Sequence, residues 1–321
     1  MRDDLIAAFE IQARACEGLG SPFTAGLMRL LPGLVPPRGG LDRLMAGWQG
    51  DPGPSGASLP LRLAGGLHHL VLTGRVPALA ACYPPQNGPG LEPALADVLG
   101  AEDAFLTRWM ANAPQTNEVG RSAVLLAGAA EVAGLTGLPL QVSELGASAG
   151  LNLNFFRYGL EVHGILTGSP DPVLILRPEW RGRPPRAGAV QVAAARGVDL
   201  NPLVPAADGL RLLSYVWPDQ EDRLARLRLA LQIAARHPPQ VDPGDAAGWL
   251  EARLDAGWQG ACHLVCHTIA FQYFPADTAA RITAAMEAAG GRATDAAPLA
   301  WLGMEADATP GSAAVTLRLW P

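Results

Sequence analysis

Lysine is absent: all 24 basic residues of the 321-residue chain are arginine. That absence excludes a P-loop lysine, a protein-kinase lysine, a Schiff-base lysine and a lysine general base. Cysteine is scarce. Cys16, Cys82, Cys262 and Cys266 are too few and too scattered to staple a chain of this size, so a reducing compartment is expected. Positive charge is not in excess either, and a formal net charge of −6 gives no general attraction to nucleic-acid phosphates or anionic lipid. The opening residues MRDDLIAAFE carry acids where a signal peptide carries positive charge, and no unbroken apolar run follows. The most apolar window, Ser122 to Leu140, is interrupted by Glu131 and weakened by Gly128, Gly134 and Gly137, and reads as a buried helix. The expectation is a cytoplasmic protein whose partner is a small molecule, with neither a membrane nor nucleic acid. Its oligomeric state is not legible.

What is present is apolar surface: 49% of residues are hydrophobic, enough for one large domain or two modest ones. Up to residue 138 the apolar positions recur at helical spacing. Ile6, Phe9, Ile11 and Ala13 begin one helix, Leu61, Leu63, Leu67, Leu70 and Leu72 populate another, and Phe105, Trp109 and Met110 lie on a third. From 139 onward, short apolar runs alternate with glycine or acidic turns and with helical patterns, the sign of a mainly parallel sheet with crossover helices. Strands are expected at LPLQVSEL, AVQVAAARGVD, PQVDPGD, CHLVCHTIA, PLAWLGMEA and AVTLRLWP, the last lying antiparallel at the sheet edge. The fold class is therefore α/β: a helical region over 1–138, then an α/β domain over 139–321 with an inserted hairpin and loop near 157–186.

Residues 143–150, SELGASAG, admit two readings. As G-x-S-x-G the stretch is a strand-to-helix elbow presenting Ser148 as a hydrolase nucleophile. That reading needs strands upstream of the elbow, where this sequence looks helical. As E-x-G-x-x-x-G it is the first turn of a nucleotide-binding sheet, in which Gly146 permits the turn, Gly150 allows close approach and the following helix offers free amides. An acid ending the next strand then binds ribose hydroxyls, and RGVDLNPL supplies Asp199. The third turn, VDPGDAAGWL, places Asp245 before a helix, where it can accept from an adenine amine.

These three turns, in this order, resemble the class I S-adenosylmethionine-dependent methyltransferases. The resemblance implies a Rossmann-like seven-stranded sheet with an antiparallel last strand, S-adenosylmethionine as cofactor, and Glu144, Gly146, Ser148, Gly150, Asp199 and Asp245 around it. Over nearly the whole chain, QTNEVGR, LGASAGLNL, RGVDLNP, WPDQEDR and the final MEA strand resemble an uncharacterised bacterial domain-of-unknown-function family, which has no established activity to carry over. The function expected is methyl transfer to an unknown small molecule. The alternatives are a noncatalytic protein of the same fold that binds a nucleotide-like ligand, and a serine hydrolase using Ser148.

Other polar clusters offer substrate groups. QTNEVGR either caps and braces its helix or presents Asn117, Glu118 and Arg121 to substrate, the arginine fork suiting a carboxylate. WPDQEDR either starts its helix, with Asp219 as cap and Trp217 as packing, or presents both side chains to a ligand. In HTIAFQYFP, His267 at a strand end is the candidate general base, with Tyr273 nearby. CHLVCH does not suggest a metal, because its cysteines and histidines fall on opposite faces of a strand.

Overall fold

A computed structural model describes residues 2–309 and 311–321. The chain forms two compact units, one of residues 1–116 with 208–225, the other of residues 117–207 with 226–321. The division falls at Asn117 rather than at 138, so QTNEVGR and the apolar helix after it belong with the sheet. It also returns 208–225, WPDQEDR included, to the helical unit.

The helical unit contains α1 (Asp3–Gly18), α2 (Pro22–Leu34), α3 (Gly40–Ala46), α4 (Leu59–Leu72), α5 (Pro77–Ala80), α6 (Leu91–Ala101) and α7 (Asp103–Trp109). On α1 the buried stripe is Leu5, Ala8, Phe9, Ala13 and Cys16, while Ile6 and Ile11 are exposed. The stripe keeps the spacing of three and four residues that a helix requires, but it uses small residues where larger apolar ones stand beside it. Leu63, Leu67 and Leu70 of α4 are fully buried, as are Leu106 and Met110 in and beside α7. Asp219 does not cap its own helix. Its carboxylate accepts from Phe23 N at 2.9 Å and from the Ser21 and Thr24 hydroxyls, closing the amino end of α2 from 198 residues away.

The second unit opens on α8 (Ser122–Thr136), which packs on β7 (Cys262–Thr268) and β8 (Leu299–Ala306). The span Val119–Thr136 is long and apolar enough to cross a membrane by length and composition alone, but the helix lies on this sheet, and Glu131 pairs with Arg186. Strands β1 (Leu140–Leu145), β5 (Val192–Asp199), β6 (Val241–Pro243), β7, β8 and β9 (Ala313–Trp320) form one sheet in the order β6-β5-β1-β7-β8-β9. All neighbours are parallel except β9, which runs antiparallel to β8 at the edge. Among the described residues this sheet has six strands, not seven.

The insertion is a separate three-stranded sheet of β2 (Gly159–Val162), β3 (Ile165–Gly168) and β4 (Ile175–Leu176). His163 and Gly164, both at positive φ, make the two-residue turn of its hairpin, as a type I′ turn demands. The later crossovers carry α9 (Pro205–Ser214) and α10 (Glu221–Arg236), α11 (Ala246–Asp255) and α12 (Ala276–Gly290). On one sheet face Leu145, Val198, Val265 and Leu299 pack against Leu250, Ile282 and Met286 of α11 and α12.

Candidate functional site

From β1 the chain crosses to β5 and β6 on one side and then returns to β7 on the other. Such a reversal opens a crevice at the carboxyl ends of the strands, the usual ligand position in an open α/β sheet. SELGASAG sits there. Gly146, Ser148 and Gly150 all have left-handed backbones, at φ +70°, +54° and +70°. A Cβ on Gly146 would come within 2.6 Å of Ala270, and one on Gly150 within 2.6 Å of Val241, so neither position tolerates a side chain.

Five amides in and just after this turn are committed within the chain. Gly146 N and Ala147 N donate to Val198 O, Ser148 N to Asp199 Oδ2 at 2.8 Å, Gly150 N to Ala147 O, and Leu151 N to Asn117 Oδ1 at 2.9 Å. Asp199 also accepts from Asn201 N through Oδ1 at 2.9 Å, which leaves further lone pairs on each oxygen. The segment after the turn is a 3₁₀ helix, Leu151–Arg157, and not the α-helix the sequence pattern suggests. A ready cradle of free amides for a phosphate is therefore missing from the turn itself.

On the α8 face Glu144, 3% exposed, is the central group. Its Oε2 is buried with no hydrogen-bond partner. Burial first, and repulsion from Asp199 second, push its pKa up to about 8, against the pull of the Arg121 charge and a hydrogen bond from Asn152. Around it, Ser122 Oγ donates to Asn152 Oδ1 at 2.7 Å, Arg121 reaches Thr268 O at 3.0 Å, and Tyr158 braces Leu151 O at 2.6 Å. Glu118 accepts from Gly120 N and pairs with Arg226. Glu144, Asn117, Arg121 and Asp199 thus converge, and the sequence reading missed Asn152, Tyr158 and Arg226. The repeated asparagines of GLNLN, directly after Gly150, were the available signal for Asn152.

His267 does not join this group. Glu144 pairs in register with Cys266, so its side chain and that of His267 leave opposite faces of the sheet. The His267 ring stacks on Phe271, and its Nδ1 lies 2.6 Å from Glu305 Oε1, which leaves Nε2 over Gly303. Glu305 also accepts from Ala270 N, Phe271 N and Gln272 N, so the His267–Glu305 pair pins the turn after β7. His267 therefore does not share a sheet face with Glu144.

The remaining candidates are dispersed. Asp245 is the N-cap of α11, accepting from Gly248 N at 2.9 Å, and approaches Arg281 of α12. Tyr273 is 73% exposed on the turn after β7, while Trp217 and Asp219 belong to the helical unit. Ser148 Oγ is buried without a hydrogen-bond partner, so no base activates it. His263 bonds Ser143, and among the described residues no group of three His, Cys, Asp or Glu side chains is placed to hold a metal.

The chain matches a family of uncharacterised proteins conserved in bacteria (DUF2332) over residues 6–321, and it belongs to that family. Comparisons with curated proteins and with solved structures return no match.

Proposed function

We propose that this member of the DUF2332 family is a cytoplasmic methyltransferase with a Rossmann-like sheet that uses S-adenosylmethionine on a small-molecule acceptor. The observation that carries the reading is Glu144, a buried acid with an orphaned oxygen at the carboxyl end of β1, between Asp199 and Arg121. A neutral buried carboxyl that ionises near neutrality suits a ligand bearing positive charge, such as a sulfonium and an α-ammonium group. The committed amides of Gly146, Ala147, Ser148, Gly150 and Leu151 argue in the same direction, because a pyrophosphate-bearing dinucleotide needs such amides free.

Glu144 would hold the cationic end, Asp199 would accept from the ribose hydroxyls through its unused lone pairs, and the glycine turn would admit the ligand closely. When bound, the cofactor supplies an electrophilic methyl group. Asp245, half exposed at the start of α11 and with lone pairs left after accepting from Gly248 N, would accept from the adenine amine.

Isothermal titration tests the reading. S-adenosylmethionine and S-adenosylhomocysteine should both bind, and Asp199→Ala should weaken both roughly 10- to 100-fold through lost hydrogen bonds to a charged acceptor. Absence of binding by either at millimolar concentration would sink it.

The position of His267 on the opposite sheet face favours a second reading, a ligand-binding protein of the same fold without catalysis. Conversion of S-adenosylmethionine to S-adenosylhomocysteine in the presence of a small-molecule cell extract, lost in Asp199→Ala, separates the two. Binding without conversion favours the second.

A further inference from the structure

Away from the glycine turn, the sheet unit gathers positive charge that the chain does not neutralise. Two cavities of about 520 and 310 Å³ share a wall made of Phe156, Arg157, Arg236 and His237. The larger runs along residues 192–195, the amino-terminal part of β5, at the opposite end of that strand from Asp199. Both volumes fall in the range of about 300–1,000 Å³ usual for small-ligand sites.

Elsewhere in this unit Arg177, Arg186, Arg196, Arg226, Arg281 and Arg318 each pair with a carboxylate. Arg157 and Arg236 have neither an acid nor a carbonyl partner among the described residues. Arg157 is half-buried, with its guanidinium 4.8 Å from the centroid of the Phe156 ring, while Arg236 is exposed at the end of α10. The Arg157 Nε is buried without an acceptor, so this charge has lost part of its water and gained nothing in return, a deficit that a nearby anion offsets. Charge also decides which cavity takes the anion. No acid lines the larger one, whereas Asp171 stands on the wall of the smaller. The carboxyl end of α10 contributes roughly half a negative charge, which two guanidinium groups outweigh.

We propose that the larger cavity binds a small organic phosphate, with its phosphate on Arg157 and Arg236 and its organic group against Leu153, Phe156 and Pro239. Two guanidinium groups match a dianion better than a single carboxylate, because each can fork onto two of its oxygens. The apolar part of the wall gives an organic group contacts that an inorganic ion leaves unmade. A polynucleotide is a poorer fit, since one arginine pair on a chain of net charge −6 makes no track for a phosphate backbone. The site does not depend on the cofactor reading of the glycine turn.

Ligand-observed NMR on the full chain at low salt, with phenyl phosphate, inorganic phosphate, benzoate and benzylamine as probes, tests it. Phenyl phosphate should bind with a Kd of about 1 mM or tighter, inorganic phosphate and benzoate about 10-fold more weakly, and benzylamine not at all. Arg157→Gln and Arg236→Gln should each weaken phenyl phosphate about 10-fold. Arg228→Gln removes the same charge from an exposed position on α10 outside both cavities and should change the affinity less than about 2-fold. Circular dichroism checks the fold of each variant, and exposed Arg236 carries the test if Arg157→Gln does not fold. No binding of phenyl phosphate at about 10 mM, unchanged affinity in Arg236→Gln, or an equal loss in Arg228→Gln would overturn the site. Inorganic phosphate or benzoate binding as tightly as phenyl phosphate would overturn the organic phosphate, and so would tighter binding of an oligothymidylate of about 12 nucleotides.

Discussion

Replacing Glu305 by alanine should lower the unfolding free energy by about 2–3 kcal/mol, the range for removing a half-buried carboxylate that accepts several hydrogen bonds. One carboxylate serves four donors: His267 Nδ1 at 2.6 Å, Ala270 N at 3.1 Å, Phe271 N at 3.0 Å and Gln272 N at 3.3 Å. Gln272 in turn accepts from Ala306 N, so the turn is tied to β8 twice. Without Glu305 the amides lose their acceptor together and the stack of His267 on Phe271 loses its anchor. Ala270 is also the residue that packs over Gly146, so the glycine turn should loosen as well. Glu305→Gln retains an acceptor and should lose less than half as much. Urea unfolding at pH 7 measures both, and a loss below about 1 kcal/mol for the alanine variant would show that the four bonds do not act as drawn. Burial opposes ionisation of Glu305, but His267 and the amides of Ala270 and Phe271 outweigh it and hold the pKa below the ordinary value. This contribution is therefore present above the ordinary carboxylate range and is lost as the pH falls through the folded-state value.

The second large effect has the opposite sign. Unfolded Glu144 titrates near 4.3, while in the folded chain its pKa is about 8. Between those values the unfolded chain has released a proton that the folded chain still holds. The native protein should lose about 1.4 kcal/mol of stability per pH unit from this group, on the order of 5 kcal/mol in all. The contribution is complete below the unfolded pKa and is lost as the pH rises through 8. Glu144→Gln removes the titration and preserves the shape. Its stability relative to the native chain should be near equal at pH 5 and higher by several kcal/mol at pH 8, and other groups cancel in that difference. Parallel curves for the two proteins across that range would contradict a neutral Glu144. A bound cation should lower the same pKa, so a ligand that ionises Glu144 should release a proton on binding near pH 7.

The strands were legible because they are short apolar runs closed by turn residues: LPLQVSEL, CHLVCHTIA and PLAWLGMEA became β1, β7 and β8, and AVTLRLWP became the antiparallel edge. The helical core was less so. On α1 large apolar residues stand on both faces, and the buried stripe includes Ala8, Ala13 and Cys16, so hydrophobicity alone selects Ile6 and Ile11 wrongly. The segment after Gly150 offered no cue that it forms a 3₁₀ helix, because what shapes it is tertiary: Asn117 takes the Leu151 amide and Tyr158 takes its carbonyl.

In the candidate site, the glycines and Asp199 could be found from spacing, since backbone conformation and strand ends leave local signatures. Roles set by distant partners could not. Asp219 caps a helix 198 residues before it, and Glu305 collects donors from a turn 33–38 residues earlier. The face on which His267 emerges depends on the register of β7 against β1, which only the pairing reveals.

The crevice at the carboxyl ends of β1, β5 and β7 is tested most directly by a crystal structure grown with S-adenosylhomocysteine. Ordered density for the ligand should lie over Gly146 to Gly150, with its amino-acid end toward Glu144 and its ribose hydroxyls on Asp199. Density placed elsewhere, or a crevice free of ligand in crystals whose protein is saturated in solution, would contradict it.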